Sequence, residues 1–262
     1  PRSTLSSSSA ASDVYKRQVI ANPLVSFLEA HGYGDNQWAF RKKASTRDLV
    51  TVCMATWVLQ ICRGCKIGLY LSDISGAFDK VSRSLLIGKL SRIDLPDTFL
   101  DFLNAYLLSR EGYVRVENAL SDVLMLSNMV FQGTVLRPSL WNVFFRDVCE
   151  DVPVGNQVIN LFADDLTVFT HRRASVSNAI VHAELAETQE RAHVWGRKKQ
   201  VEFDPGKESI KILHPAFGEG DDFKMLGILL DCRLTLQPCV EAILQKSRPK
   251  IRALLKLSLI HI

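Results

Sequence analysis

Residues 161–169 read Leu-Phe-Ala-Asp-Asp-Leu-Thr-Val-Phe, two short apolar runs that meet at adjacent carboxylates. Apolar stretches this short, bounded by turn residues, predict strands, here Val158–Phe162 and Leu166–Phe169. Asn-Gly or Asp-Gly would be the comfortable pair for a tight hairpin. Ala163-Asp164-Asp165 instead sets two negative charges side by side. Taken alone, the pattern fits an ordinary acidic surface turn. A second feature changes its meaning: Lys66–Leu71 is another strand candidate, and it ends at Asp73. Alone, Asp73 would cap a helix. If both strands share a sheet, three carboxylates gather. Two carboxylates ~5 Å apart repel by roughly 3 kcal/mol at an effective dielectric of about 20. Three of them call for a cation, and all-oxygen donors favour Mg²⁺ or Mn²⁺ over zinc. Two such ions about 3.5–4 Å apart suit phosphoryl transfer to a hydroxyl.

With 262 residues, 47% of them hydrophobic, the chain can bury the core of one or two domains. This composition excludes disorder over most of its length, and no apolar run approaches the roughly 18 residues of a membrane span. A net charge of +4 is too small to imply a nucleic-acid partner by itself. The six cysteines follow no regular framework, so reduced thiols are expected. Cys62-x-x-Cys65 has no second close pair and reads as two thiols flanking a turn at Arg63-Gly64 rather than a zinc site. Residues 1–18 are Ser-rich and are expected to be disordered. Ser6–Gln18 and Ser258–Ile262 resemble translated library-adaptor scars and are set aside.

Val19–His31 predicts a short helix stopped by Gly32-Tyr33-Gly34. Ser45-Thr46-Arg47-Asp48 predicts a helix start with a hydroxyl cap, followed by a buried helix to Gln60. Past Asp73 a helix is expected with Phe78, Val81, Leu85 and Leu86 on its apolar face, then another through Phe99–Leu107. Tyr113–Val116 and Val123–Val130 predict two strands, and about Ser139–Cys149 a helix. Val176, Ala179, Ile180, Ala183 and Ala186 predict the inner face of a long amphipathic helix. Ile210–Leu213 and Phe223–Leu230 predict strands, and residues 237–257 a basic helix. Paired strands with helices between them and few βαβ repeats indicate an α+β fold.

Six segments resemble the reverse transcriptases, with wording nearest the non-LTR (LINE-like) retrotransposons. Asp73–Asp79 resembles the motif that opens the palm, Asp-x-x-x-x-aromatic-Asp. Phe162-Ala163-Asp164-Asp165 resembles the Phe/Tyr-x-Asp-Asp box. Between them, Phe131–Pro138 resembles Pro-Gln-Gly-Ser/Thr-x-Leu-Gly-Pro, with Arg137 in place of the glycine. Asp204-Pro205-Gly206-Lys207-Glu208 resembles Asn-Pro-x-Lys-Thr, and Phe223–Ile228 resembles the primer grip. Gln37-Trp38-Ala39-Phe40-Arg41 with Ser45-Thr46 resembles a fingers segment, Ala39 standing where glycine is usual. Together the boxes cover roughly residues 23–240.

The resemblance implies a right-hand polymerase palm, an antiparallel sheet packed on helices. It implies partial fingers over 19–65, a palm over 66–235 and the start of a thumb over 236–262. The implied activity is RNA-directed DNA polymerisation, with dNTPs added to a primer 3′-hydroxyl. Asp73, Asp164 and Asp165, with the backbone carbonyl of Ile74, would hold two Mg²⁺ ions, Mn²⁺ being able to replace them. Lys207 would protonate or neutralise the leaving pyrophosphate; alone it reads as a solvated loop lysine. Phe78 would exclude a 2′-hydroxyl, although it also fits a core position. Gln132 and Gly133 would line the nucleotide pocket, or simply form a β-to-α turn. Arg41 would contact the triphosphate, or belong to a solvated basic turn. Lys246, Arg248, Lys250, Arg252 and Lys256 would follow the phosphates of an RNA–DNA hybrid of template and primer.

The implied setting is intracellular, in the nucleus and in cytoplasmic ribonucleoprotein, with no membrane partner. The chain is expected to be a piece of a polyprotein whose other domains, such as an endonuclease, lie elsewhere. Two further readings stand beside this one. A nucleic-acid-binding remnant could keep the fold without turnover, and a nucleotide cyclase could share the two-metal palm. The Gln132-Gly133 and Lys207 boxes argue against the cyclase.

Overall fold

The computed structural model describes residues 21–117, 119–126, 130 and 134–258. Its centre is a four-stranded antiparallel sheet in the order β6-β7-β1-β8, where β1 is Cys65–Ser72, β6 Val158–Phe162, β7 Asp165–Arg173 and β8 Ser209–Leu213. Both faces of this sheet are covered, which explains why β1 reads as an unbroken apolar run rather than an alternating one. Ile67, Leu69 and Leu71 point to one face, where Leu49, Cys53 and Trp57 of α2 (Thr46–Cys62) pack on them. Tyr70 points to the other face, which belongs to the larger core under the helices α1 (21–31), α3 (Arg83–Ser91), α4 (Asp97–Tyr106), α5 (Arg137–Phe145) and α7 (Asn178–Lys199). The fold is α+β, as expected.

Helix α2 begins where the sequence predicts it. The Ser45 hydroxyl accepts from the Asp48 amide, and Asp48 sits in the positive first turn. It is not buried all round, however. Leu49, Val50, Cys53 and Trp57 are buried, whereas Val52, Val58 and Leu59 face solvent. Gly64 (φ 80°) turns the chain from α2 into β1 between Cys62 and Cys65, and all six cysteines are free thiols.

Several expected elements differ. Beyond β1 the chain makes a bridge at Ile74 and a 3₁₀ turn over Ala77–Asp79, so Phe78 lies on that turn and α3 starts only at Arg83. The expected pair of strands after Tyr113 is instead two short ribbons. Arg110–Gly112 (β2) pairs with Leu124–Leu126 (β5), and Arg115–Val116 (β3) with Ala119–Leu120 (β4); Ser127–Met129 lie outside the described residues. The helix expected over Ser139–Cys149 starts at Arg137, breaks after Phe145 and resumes as α6 (Val148–Asp151).

Helix α7 is present but faces the other way. Val181, Leu185, Thr188, Ala192 and Trp195 form its buried stripe, while Ala179, Ile180, Ala183 and Ala186 are exposed. The Phe223–Leu230 segment is a small hairpin, β9 (Phe223–Met225) with β10 (Ile228–Leu230), turning at Leu226-Gly227. Helix α8 (Gln237–Ser258) follows. Among the described residues no helix is long and apolar enough to cross a membrane.

Candidate active site

The antiparallel pairing of β1 with β7 sets the site. Its register ends at Ser72 opposite Leu166, so the C-terminal tip of β1 and the N-terminal tip of β7, the two central strands, meet at one end of the sheet. Asp73 follows that tip of β1, and Asp165 opens β7. The hairpin turn is one residue earlier than the sequence suggests: Phe162 pairs with Asp165, so Ala163 and Asp164 are the two turn residues. Ala163 takes φ 58°, the positive value that a two-residue hairpin turn requires and that glycine usually supplies.

The three carboxylates act on one another. Burial pushes the Asp164 carboxyl above its ordinary range, and the Asp73 carboxylate adds to this by its charge and by side-chain hydrogen bonding. Burial likewise raises Asp165, together with the charges of Asp73 and Asp164, to about 6. One cation offsets them. The Lys207 ammonium donates to Asp73 Oδ2, stands 3.9 Å from Asp204 Oδ2, and is held above its usual range by the bond to Asp73. Asp73, Asp165 and Lys207 line one cleft of about 420 Å³ together with Phe223 to Leu226 of the β9–β10 hairpin.

The raised Asp165 has a consequence for stability. An acid whose folded pKa lies above its unfolded value favours folding fully below the unfolded pKa, and that contribution is lost as pH rises through about 6. In metal-free buffer at pH 8, Asp165→Asn should therefore stabilise the protein by about 1–2 kcal/mol after discounting for solvent screening. Thermal melts should show the gain shrinking as pH falls below 6 and absent below about 4. A gain independent of pH would place its origin elsewhere.

Oxygen-only donors around an excess of negative charge suit a hard divalent cation. Ile74, the next residue after Asp73, keeps its carbonyl out of the neighbouring segment. Asp204 N–H donates to the Asp73 carbonyl and Ser75 N–H to the Glu202 carbonyl, so the bridge of Ile74 with Phe203 leaves the Ile74 carbonyl turned away from that segment. Among the described residues, no group of three or more His, Cys, Asp or Glu side chains stands in ready-made metal-binding geometry. Here the Lys207 ammonium stands against Asp73.

The other predicted residues are more dispersed. Phe78 is half-buried, with one ring contact to Trp141 (centroids 5.4 Å apart) and the Arg137 guanidinium 4.1 Å from its centroid. The cation that replaces glycine in this box thus covers the aromatic ring. Gln132 and Gly133 lie outside the described residues. Arg41 Nη1 donates to the carbonyls of Gly34 (2.6 Å) and Gln37 (3.2 Å), so this nitrogen braces its own loop.

Two polar side chains buried near the site stand inside the quoted boxes but have no role assigned there. Glu208, beside Lys207, has a side chain only 5% exposed. It accepts from Tyr70 Oη (3.0 Å), Ser72 Oγ (3.3 Å) and Gln189 Nε2 (2.7 Å), and pairs with His193 Nε2 (2.8 Å). Gln37 is 1% exposed. Its Oε1 accepts from the Ala163 amide at 3.0 Å and its Nε2 donates to the Ala163 carbonyl at 3.3 Å.

A sequence profile of the reverse transcriptase (RNA-dependent DNA polymerase) family matches residues 15–230. The probable RNA-directed DNA polymerase from transposon X-element of Drosophila melanogaster is 28% identical over 261 residues, which cover 92% of this chain. The RNA-directed DNA polymerase from mobile element jockey of the same species is 26% identical over 203 residues, 71% of this chain. The chain spans only 28% and 22% of the lengths of these two relatives. Among solved structures, the telomerase of Candida albicans in complex with a fragment of telomeric RNA superposes with a TM-score of 0.62 at 10% identity. That match covers 89% of this chain and 42% of the telomerase. Apo telomerase from Candida tropicalis, truncated from its C-terminal domain, gives 0.57 at 12% identity over 86% of this chain and 44% of its own. These structural likenesses show that most of the chain shares the fold of these telomerases.

Proposed function

The chain belongs to the reverse transcriptase family, of the LINE-like kind its transposon relatives represent, and from that premise we propose that it extends a primer 3′-hydroxyl with deoxynucleotides, copying RNA. The meeting of Asp73 with the Asp164–Asp165 hairpin at one end of the sheet supports this reading. In the reaction the primer 3′-oxygen bonds to the α-phosphorus, and the bond to pyrophosphate breaks. Asp73, Asp164 and Asp165, with the Ile74 carbonyl, would hold a pair of Mg²⁺ or Mn²⁺ ions. When bound, these supply Lewis-acid stabilisation of the attacking and leaving oxygens.

The chain's own residues do the rest. Lys207 offsets carboxylate charge in the free protein, and its ammonium is assigned to the charge that develops on the leaving group. Its bond to Asp73 in the free protein favours the protonated form, the form that either neutralising or protonating the leaving pyrophosphate requires. Phe223 to Leu226, which line the same cleft as Asp73, are assigned to the primer end. The exposed Lys246, Arg248, Lys250 and Arg252 on α8 are assigned to duplex phosphates, a contact expected to weaken steeply with salt. By this reading residues 19–65 act as fingers, 66–235 as palm and 236–262 as the beginning of a thumb.

The direct test is primer extension on an RNA template, with each dNTP present or omitted in turn and with Mg²⁺ or EDTA. Template-directed addition that EDTA abolishes supports the reading; folded protein that adds nothing in Mg²⁺ or Mn²⁺ overturns it. A sharper expectation concerns Phe78. Trimming its ring should admit ribonucleotides, so Phe78→Ala should lower the preference for dNTP over NTP by at least about tenfold, roughly 1.4 kcal/mol of discrimination. An unchanged ratio would make Phe78 a packing residue under Arg137 and against Trp141.

A further inference from the structure

The Asp164–Asp165 hairpin is held by a fingers residue. Ala163, immediately before Asp164, sits at φ 58°, a conformation that a side chain other than glycine rarely adopts. The two acids after it carry the same charge as Asp73, whose strand tip meets the hairpin. A turn of this kind opens unless something outside it holds it shut.

Gln37 supplies that hold. The segment 36–38 lies along β6, the edge strand of the sheet, with Leu161 N–H donating to the Asn36 carbonyl (2.8 Å) and Trp38 N–H to the Leu161 carbonyl (2.9 Å). From there the Gln37 amide reaches both backbone groups of Ala163, accepting from its N–H and donating to its carbonyl. Trp141 Nε1 donates to the same carbonyl at 2.9 Å. Gln37 Oε1 also accepts from the Ala39 amide (3.0 Å), so its side chain is fixed at its own end too. A buried amide with this many partners holds one orientation.

We propose that Gln37 is a positioning residue for the metal-binding carboxylates: it acts through Ala163 to keep Asp164 and Asp165 turned toward Asp73. The proposal rests on the nucleotidyl-transfer reading for the identity of the ligand. The hold on the turn itself stands on hydrogen bonds alone.

Three variants of this chain test it. Gln37→Met keeps length and burial but can neither donate to nor accept from Ala163. Asn142→Leu removes a neighbouring buried bond, Asn142 Nδ2 to the Ala39 carbonyl (3.0 Å), without touching the hairpin. Asp164→Asn removes a carboxylate. Backbone hydrogen exchange should be at least tenfold faster at residues 163–165 in Gln37→Met than in wild type, and unchanged there in Asn142→Leu. Mn²⁺ titration followed by electron paramagnetic resonance should show half-saturation at about fivefold higher Mn²⁺ in Gln37→Met, with Asn142→Leu like wild type. Exchange at 163–165 within twofold of wild type in Gln37→Met overturns the hold. Faster exchange with unaltered Mn²⁺ half-saturation overturns the positioning role. If wild type binds Mn²⁺ no better than Asp164→Asn, the nucleotidyl-transfer reading is what fails, and the hold is decided by exchange at Ala163 alone.

Discussion

Asp164→Asn is expected to remove nucleotide incorporation, by at least about three orders of magnitude, from a protein that stays folded. Asparagine keeps the shape of the side chain at the second turn position and removes its charge. In the proposed reaction that charge belongs to the donor set for the divalent cation, and metal-assisted stabilisation of a phosphoryl transition state is worth several kcal/mol. The same change relieves a strain on the fold, because burial and the Asp73 carboxylate both disfavour the ionised acid. Activity and stability should therefore move in opposite directions at neutral pH. Primer extension and thermal melting on the same preparation check both. Incorporation equal to wild type would remove Asp164 from the chemistry and with it the polymerase reading. A collapse in melting temperature would show instead that the carboxylate serves the fold.

That opposition is characteristic of sites built for binding rather than for stability, and it explains which parts of this molecule were legible in the sequence. The tips of β1 and of the hairpin were readable because both strands are short apolar runs ending at charges, a signal that depends on few residues. The turn was misplaced by one residue because the pattern prefers glycine or asparagine at positive φ, and here Ala163 takes that position under external restraint. Helix α7 was predicted but faced wrongly. Ala179, Ala183 and Ala186 count as apolar in a periodicity reading, yet alanine is equally at home in solvent on a helix. The real stripe includes Thr188, which is buried because its hydroxyl bonds the Glu184 carbonyl and Gln157.

Gln37 and Glu208 could not have been given their contacts from one sequence. A buried polar side chain is recognised by its partners, and those partners lie 126 residues away for Gln37 and up to 138 for Glu208. The strands expected over Tyr113–Val116 and Val123–Val130 are present only as the short pieces β3 and β5 among the described residues, for a related reason. Tyr113, Val116, Val123 and Met125 are apolar but more than 60% exposed on or beside the ribbons, where β-propensity has no core to act against.

The second large effect is expected at Gly68, in the middle of β1, five residues before Asp73. A Cβ built there would lie 2.4 Å from Val181 Cγ1 on α7, 3.0 Å from Leu185 Cδ1 and 3.1 Å from Thr170 Cγ2. Val181 and Leu185 are fully buried, and a β-branched valine on a helix has one strongly preferred rotamer. The methyl cannot be accommodated by swinging a side chain aside, so α7 must move away from the sheet. Overpacking of this kind costs about 1–3 kcal/mol for a single methyl. Gly68→Ala should therefore lower the melting temperature by roughly 2–12 °C, at about 2–4 °C per kcal/mol for a chain of this size. Gly68→Val should be several kcal/mol worse and, against a typical margin of about 5–15 kcal/mol, leave little folded protein. The origin is separable by a double-mutant cycle. Adding Val181→Ala opens space opposite the new methyl, so the pair should be less destabilised than the sum of its single changes by about 1 kcal/mol or more. Additive losses would mean that the clash with Val181 is not what makes glycine necessary there, and that the spacing of α7 from the strand carrying Asp73 is set by other contacts.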